Sequence, residues 1–273
     1  MQSNYKKYGL YAALTVAAVI AIPLIRSGKS QGTAYHPRDY EEIVRSGVLR
    51  VVTEYNSVSF YVDGDSVSGF HYDLIQAFAR EKGLKAEIVP EMSFARRVED
   101  VETGKFDILA NNTLITTQSK DSIRFTDPII LSKQVLVQRK GPDSLFIRSQ
   151  LDLARRTLHV IKDSPALLRI HNLENEIGDT IYVQELDKYG SEQLLAMVAH
   201  GDIDYAVCDE TIAKASIDSF PQLDISTDIS FTQFYSWGVS KQSPVLLDSL
   251  NSWLKTFKNS KEFRTIYERY YSK

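Results

Sequence analysis

The sequence predicts an α/β protein of two similar units, each a mostly parallel sheet flanked by helices. Short β-branched runs alternate with stretches whose apolar residues have helical spacing, and this order of strand and helix occurs twice. The 273 residues also suffice for two units at about 150 residues each. Apolar residues make up 43% and charged residues 25%, which is typical of a globular protein.

The elements of both units can be placed from β-branched runs, helical spacing and glycine stops. In the first unit the predicted elements are a strand at Val48–Thr53, a helix at 73–82 ending at Gly83, a strand at 86–89, a helix at 93–102 with Ser93 as N-cap and Gly104 as stop, and a strand at 106–110. The second set is a strand at Thr157–Ile161, a helix from Ser164, a strand at 180–183, a helix at Ser191–His200 stopped by Gly201, and a strand at 203–207.

A short sequence echo links the two units. Both units contain a predicted helix end, a glycine cap, an aspartate and a buried strand in that order, at Val101-x-x-Gly104-Lys-Phe-Asp107 and at Val198-x-x-Gly201-Asp-Ile-Asp204. The aspartates are interpreted as turn residues. Strands alternating with helices predict parallel pairing, and open sheets of this kind bind ligands beyond the carboxyl ends of their strands.

Two carboxyl-terminal helices are predicted to pack against the body of the protein. Their apolar stripes are Val245, Leu246, Leu250, Trp253 and Phe257 in Pro244–Phe257, and Phe263, Ile266, Tyr267 and Tyr270 in the last helix. Trp237 is expected to be buried rather than exposed to a ligand.

The amino terminus predicts export. Residues 8–25 form an uncharged, mostly apolar run between Lys7 and Arg26, and a basic flank before such a run places the following chain outside the cytoplasm, in the periplasm. The run is long for a cleaved signal and lacks a small-x-small pair directly after it. Both an uncleaved inner-membrane anchor and a cleaved signal peptide therefore stay open for residues 1–34. A lipoprotein is excluded, because the only cysteine is Cys208.

Charge and motifs exclude several function classes. Setting aside the four basic residues of 1–34 changes the net charge from −3 to −7, and such an acidic body argues against a nucleic-acid partner. The common dinucleotide, phosphate, hydrolase and zinc motifs are absent, and the five histidines have no metal-site spacing. We therefore expect no enzyme activity, cofactor or metal. Cys208 is interpreted as a small core residue, with a nucleophile as the lesser alternative.

Several motifs carry a resemblance to a known family: Gly47-Val-Leu-Arg-Val, Gly69-Phe-His-Tyr-Asp73-Leu, Gly104-Lys-Phe-Asp107, Ile115-Thr116 and Phe125-Thr-Asp127-Pro128. In order and spacing the chain resembles the extracytoplasmic solute-binding protein family 3 from about residue 46 to 271. Within it, the stretch 133–139 and the amino-terminal signal look most similar to the regulatory, solute-binding half of membrane-bound lytic murein transglycosylase F. No lytic domain is expected within the 273 residues.

The resemblance implies a type II periplasmic binding protein with two lobes joined by two hinge strands. Lobe one would comprise 46–130 plus 235–273, and lobe two 131–234. A small polar ligand would be trapped between them. The protein would be a monomer, and its partner would be an ABC transporter permease or the cell-wall machinery.

The family's amino-acid binders also imply site residues. They hold the ligand carboxylate with an I-T-x-x-R stretch, which here begins at Ile115-Thr116 and has Ser119 at the arginine position. A charge-assisted clamp is thereby lost, which puts a free α-amino acid ligand in doubt. Arg96, Arg97 or Arg124 could substitute, but all three are expected to be surface charges.

The other candidate ligand contacts follow predicted strands. Asp209 matches the family's ammonium-binding aspartate, or caps the helix that follows it; Ser164 matches an anion-binding helix start, or is a plain N-cap. The remaining candidates are Glu54, Ser57, Phe60, Asn111 and Asn112.

Three functions fit these observations. The first is a solute-binding protein for transporter delivery, with an amino acid, a short peptide or a related compound as its ligand. The second is a membrane-anchored sensor or regulatory module that recognises peptide or cell-wall fragments. The third is a dehydratase-like enzyme on the same fold.

Overall fold

Helices cover the faces of two sheets in the computed structural model, which describes residues 35–114, 117–141, 145–187 and 189–271. The export segment 1–34 lies outside these residues. Within the described part of the chain, no helix has the length and apolarity needed to cross a bilayer. The helices are α1 (Tyr40–Ser46), α2 (Phe70–Lys82), α3 (Phe94–Glu102), α4 (Thr117–Ser122), α5 (Ala166–Ile177), α6 (Ser191–His200), α7 (Glu210–Ser216), α8 (Pro244–Phe257) and α9 (Lys261–Tyr271).

The strands form two larger sheets and one hairpin. The first sheet has the order β4-β1-β5-β13-β6, with β7 also paired to β13; the second has the order β10-β9-β11-β8-β12; β2 pairs with β3. The strands are β1 (Val48–Thr53), β2 (Tyr61–Asp63), β3 (Ser66–Ser68), β4 (Lys85–Pro90), β5 (Ile108–Leu114), β6 (Ile123–Phe125), β7 (Ile130–Ser132), β8 (Gln134–Arg139), β9 (Thr157–Ile161), β10 (Tyr182–Leu186), β11 (Tyr205–Asp209), β12 (Leu223–Asp224) and β13 (Gln233–Ser240).

Strand direction follows the order of elements. The strands that alternate with helices pair in parallel, β1 with β4 and β5, and β9 with β10 and β11. The strands β8 and β13 come where the chain passes between the sheets, and both pair antiparallel with their neighbours. The α/β class and the two-sheet architecture are thus as predicted. The exact lobe boundaries, 46–130 plus 235–273 and 131–234, stay a prediction.

Most predicted elements are found, and the shifts have a physical cause. β1, β9, α6 and α8 have the expected bounds, but the strands expected at 106–110 and 203–207 begin two residues later. In both places a helix carbonyl captures the amide two residues past the glycine: Phe106 N donates to Asp100 O, and Ile203 N to Met197 O. These amides are therefore not available to a sheet.

Asp107 does more than form a turn. Its side chain is fully buried and pairs with Arg50 at 2.8 Å and with Arg38 at 2.5 Å, and it also accepts from Arg50 N. This carboxylate ties the start of β5 to β1 and to the residues before α1. Its echo, Asp204, forms an exposed pair with Arg139.

The carboxyl-terminal helices join the core of the first sheet. Leu246, Leu250, Trp253, Phe257, Phe263, Ile266 and Tyr270 are buried in it as expected. Val245 and Tyr267 are exposed, because they lie at the edges of the two stripes; their expected core positions were wrong. Trp237 is fully buried, as predicted.

Candidate functional site

A cavity lies where strands of the two sheets end near one another. Glu54 follows β1, Asn111 and Asn112 belong to β5, and Asp209 ends β11. The cavity volume is about 90 Å³. That is less than the ~150 Å³ that accommodates benzene in a protein core, so the cavity has room for a small polar group but not for a whole large ligand. The other lining residues are Asn56, Ser59, Met92, Phe94, Arg97, Gln134, Ile161, Lys162, Ser164, Pro165, Ser191, Val207, Cys208, Ile212 and Tyr235.

Asp209 presents a buried carboxylate to this cavity. Its Oδ1 accepts from Thr211 N at 2.9 Å and from Thr211 Oγ1. Asp209 therefore caps α7, which is one of the two roles expected from the sequence. Its Oδ2 is buried without a hydrogen-bond partner among the described residues. Burial raises the pKa of Asp209, while the hydrogen bonds from Thr211 and the nearby hydroxyls of Ser132 and Tyr235 act in the opposite direction. Neither of these two hydroxyls reaches Oδ2 with normal hydrogen-bond geometry. Such an atom is a ready acceptor for a ligand donor.

Arg97 is a second charged group at the cavity, and the prediction that it lies on the surface was wrong. It is 3% exposed; Nη1 donates to the carbonyls of Glu91 and Met92, and Nη2 donates to Glu54 Oε2 at 3.0 Å. Its Nε has no hydrogen-bond partner among the described residues. Burial lowers the pKa of Arg97, and Glu54 and Glu91 oppose that effect.

Arg96 and Arg124 are exposed, as expected. The inward position of Arg97 is indicated by the sequence, because Arg97 lies one helical turn before the buried Val101 on α3 and so shares its inward face.

A chain of hydrogen bonds connects the core of the first sheet to Asp209. Trp237 Nε1 donates to His71 Nδ1 at 2.9 Å. Because an indole can only donate, His71 carries its proton on Nε2 and donates it to Asn112 Oδ1 at 2.8 Å. Asn112 Nδ2 donates to Thr211 Oγ1 at 3.1 Å, which donates to Asp209 Oδ1. Burial lowers the pKa of His71 to about 4, which keeps the ring neutral; the bond to Asn112 opposes this only in part.

The cavity brings together five of the predicted site residues, which are Glu54, Asn111, Asn112, Ser164 and Asp209. Ser119 lines a neighbouring groove that shares Ser164.

Ser57 and Phe60 lie apart from both spaces. Ser57 N donates to Glu192 Oε1 at 2.6 Å, and Phe60 packs edge-on against Tyr55 and Tyr72. Thr116 lies outside the described residues. That any of these residues contacts a ligand stays a prediction.

Sequence reasoning missed the contribution of the crossing strands. Gln134 begins β8 and Tyr235 lies in β13; Gln134 Nε2 donates to Tyr235 Oη at 2.9 Å beside the cavity. The expected role of these strands is a connection between the sheets, and both also contribute residues to the cavity lining.

Metal binding and nucleophilic chemistry receive no support from the described part of the chain. Within it, no group of three or more histidine, cysteine, aspartate or glutamate side chains is placed to hold a metal ion. Cys208 is 4% exposed and packs among Val135, Val137 and Ala206. Burial raises the pKa of its thiol, so it stays protonated, as suits a packing residue.

The chain is similar to known proteins in sequence and in fold. The sequence profile of the bacterial extracellular solute-binding proteins, family 3, matches residues 49–273. Two curated relatives are membrane-bound lytic murein transglycosylase F of Photobacterium profundum, 27% identical over 85% of this chain and 45% of its own length, and of Desulfosudis oleivorans, 29% identical over 85% and 50%. The chain thus spans about half the length of the curated relatives it matches.

Solved structures share the fold. An ancestral arginine-binding protein bound to arginine superposes with a TM-score of 0.73 at 27% identity, covering 82% of this chain and 98% of its own. The ancestral amino acid-binding protein AncCDT-1, a precursor of cyclohexadienyl dehydratase, gives a TM-score of 0.74 at 24% identity, covering 85% and 98%.

Proposed function

Since the chain belongs to the bacterial extracellular solute-binding proteins of family 3, we propose that it captures a small solute bearing an amino group in the cavity between its sheets. Each sheet with its helices acts as one lobe, and closure of the lobes traps the solute. Asp209 carries the proposal, because its buried Oδ2 lacks a hydrogen-bond partner among the described residues.

The charges of the cavity favour a cationic group. Arg97 and Glu54 neutralise each other at 3.0 Å, which leaves Asp209 as a negative charge without a facing cation. Lys162 also lines the cavity, but its ammonium pairs with Asp187. A ligand ammonium would supply the missing donor and offset the cost of burying the carboxylate.

The other end of the ligand would meet neutral or paired donors. With Ser119 where the family has arginine, the buried positive charge at the cavity is Arg97, and Glu54 already compensates it. Its Nε remains available to a carbonyl or carboxylate oxygen. This arrangement suits an amino acid or short peptide whose amino group contributes more than its carboxylate does.

In this function the exported body works in the periplasm as a monomer and passes the solute to an ABC transporter permease. The arginine-bound relative of known structure supports an amino-acid-type ligand. AncCDT-1, at 24% identity, is similar in fold and adds no support for a dehydratase.

A second function is a membrane-anchored regulatory module that senses peptide or cell-wall fragments. The curated relatives, which are membrane-bound lytic murein transglycosylases, favour it. Mass spectrometry of the mature amino terminus separates the two: a retained segment 8–25 supports an anchored module, and a start near residue 35 supports a released transport component.

The ligand class is tested by thermal shift with L-amino acids, each paired with the α-hydroxy acid that lacks only the amino group. Ligands bound to the native state raise the melting temperature by mass action. We expect shifts from amino compounds and none from their hydroxy partners. Equal shifts from both members of a pair would contradict the proposed role of Asp209.

A further inference from the structure

We propose that His71 is a positioning residue for ligand binding, although it is not among the described residues that line the cavity. It acts through the chain of hydrogen bonds that ends at Asp209, and it sets the direction in which each donor of that chain points. This inference rests on the proposed function, since Asp209 is the group that would receive the amino group of the ligand. It adds a residue from outside the cavity to the binding site.

His71 is held in one tautomer. Its side chain is buried, and its Nδ1 accepts from the indole of Trp237, which is fully buried as well. An indole N–H can only donate, so the proton of the neutral imidazole lies on Nε2. Burial lowers the pKa of His71 to about 4, so the neutral ring predominates at pH 7. The single donor of this ring therefore points to Asn112 Oδ1, 2.8 Å away.

This donor decides which end of the Asn112 amide faces the second sheet. Because Oδ1 accepts from His71, Nδ2 lies on the other side and donates to Thr211 Oγ1 at 3.1 Å. In the opposite orientation the amide N–H and the proton of the imidazole would face each other, and two donors cannot form a hydrogen bond. The tautomer of His71 therefore excludes the flipped amide.

The orientation of the amide in turn directs the hydroxyl of Thr211. A hydroxyl has one proton, and since Thr211 Oγ1 accepts from Asn112, that proton goes to Asp209 Oδ1. A flipped Asn112 would present an oxygen and compete with Asp209 for the same proton. The backbone N–H of Thr211 donates to Oδ1 at 2.9 Å. Both donors thus meet Oδ1, and Oδ2 remains for a ligand.

The bond from the hydroxyl also favours the charged form of Asp209. Hydrogen bonds to a carboxylate lower its pKa, and those from Thr211 oppose the effect of burial. Without the hydroxyl bond the neutral acid would be favoured, and a neutral acid attracts an ammonium group less strongly. A change at His71 should therefore weaken the binding of amino compounds without removing any residue from the cavity lining.

Calorimetry with L-glutamine, L-arginine and L-alanyl-L-alanine as probes tests this role. His71→Leu removes both ring nitrogens and should weaken binding of each probe that the natural chain binds by about tenfold. His71→Gln can accept from Trp237 and donate to Asn112, so it should restore the affinity to within about threefold of the natural value. A loss in His71→Gln as large as that in His71→Leu would overturn the proposal.

His159→Leu is the matched control. His159 is also buried, and its ring nitrogens lie 3.0 Å from Tyr205 O and 3.1 Å from Gln184 Oε1. It is not among the described residues that line the cavity, so its loss should lower the melting temperature and leave the affinity unchanged. Equal losses of affinity in His159→Leu and His71→Leu would assign the effect to general destabilisation and refute the positioning role.

Thr211→Val breaks the chain at its other end without opening the core around Trp237. It should weaken binding by about tenfold, and adding His71→Leu should then cost no more than about twofold, because both changes remove the same bond to Asp209. Full affinity in Thr211→Val, or losses that multiply in the double variant, would overturn the role of His71 and leave the proposed function intact. Absence of binding of all three probes to the natural chain would overturn the proposed function and the role of His71 with it.

Discussion

Two buried polar atoms at the cavity lack hydrogen-bond partners among the described residues, Asp209 Oδ2 from the second sheet and Arg97 Nε from the first. Buried polar groups are nearly always paired in native proteins, so each such atom calls for an explanation. The proposed solute would supply one: its amino group would donate to the carboxylate, and its oxygen would accept from the guanidinium. The proposed function thus accounts for two local exceptions with one ligand.

Also at the residue scale, His71 makes unliganded stability depend on pH. Its folded pKa, about 4, lies below the ordinary 6.5, so the unfolded chain takes up the proton first and the free energy of unfolding falls as pH drops between these values. The whole loss amounts to about 3 kcal/mol. In His71→Gln the amide can accept from Trp237 and donate to Asn112 without titrating, so the loss from pH 7 to pH 4 in urea unfolding should be smaller.

The control for this prediction is His171→Gln, whose side chain is 69% exposed. That variant should lose stability with acid as the natural chain does. A pH dependence that is the same in His71→Gln and the natural chain would refute the assignment of the loss to His71.

At the scale of elements, the aspartates of the two helix–glycine–aspartate stretches differ in burial and in their partners. Asp107 is buried between Arg38 and Arg50, whereas the side chain of Asp204 is 62% exposed beside Arg139. Asp107→Asn should therefore lower the free energy of unfolding by about 3 kcal/mol, because it leaves two partly buried guanidinium groups without the counter-charge of a fully buried carboxylate. Asp204→Asn should cost less than about 1 kcal/mol. Urea unfolding of both variants measures the difference, and equal losses would contradict this view of the turns.

The element scale also shows how far the sequence could predict the fold. Glycine stops and helical spacing gave the ends of α6 and α8, because these signals act within a few residues. The late starts of β5 and β11 could not be predicted, since they depend on which carbonyl captures the amides of Phe106 and Ile203. Arg97 was misplaced because arginines are usually exposed. Its spacing to Val101 indicated the inward face of α3, but not its partners, which include the carbonyls of Glu91 and Met92.

On the scale of the whole molecule, hydrogen bonds join the parts proposed as lobes, and among the described residues two of them lie outside the crossing strands β8 and β13. Ser57 N donates to Glu192 Oε1 at 2.6 Å, and Asn112 Nδ2 to Thr211 Oγ1 at 3.1 Å. Residues over a hundred positions apart make the first contact, so the sequence alone could not predict it. Because these bonds connect the parts proposed as lobes, we expect them to favour ligand retention.

Glu192→Gln tests this role. Replacing the carboxylate weakens a charge-assisted bond to a backbone amide, which is worth about 1.5 kcal/mol, or roughly tenfold in affinity. Calorimetry with the amino acids that shift the melting temperature should show this loss, while Glu268→Gln, on the exposed side of α9, should bind normally. Unchanged affinity in Glu192→Gln would show that closure does not depend on this contact.

The most direct test of the central claim is the melting temperature of Asp209→Asn with and without the amino-acid panel. Asparagine caps a helix about as well as aspartate, so the bond to Thr211 N can persist. Burial raises the pKa of Asp209 in the fold, which means that its ionised form costs stability at pH 7. The unliganded variant should thus melt at the same temperature as the natural chain or higher, and every ligand-induced shift should disappear. A variant that keeps the full shifts would remove Asp209 from the binding site and contradict the account.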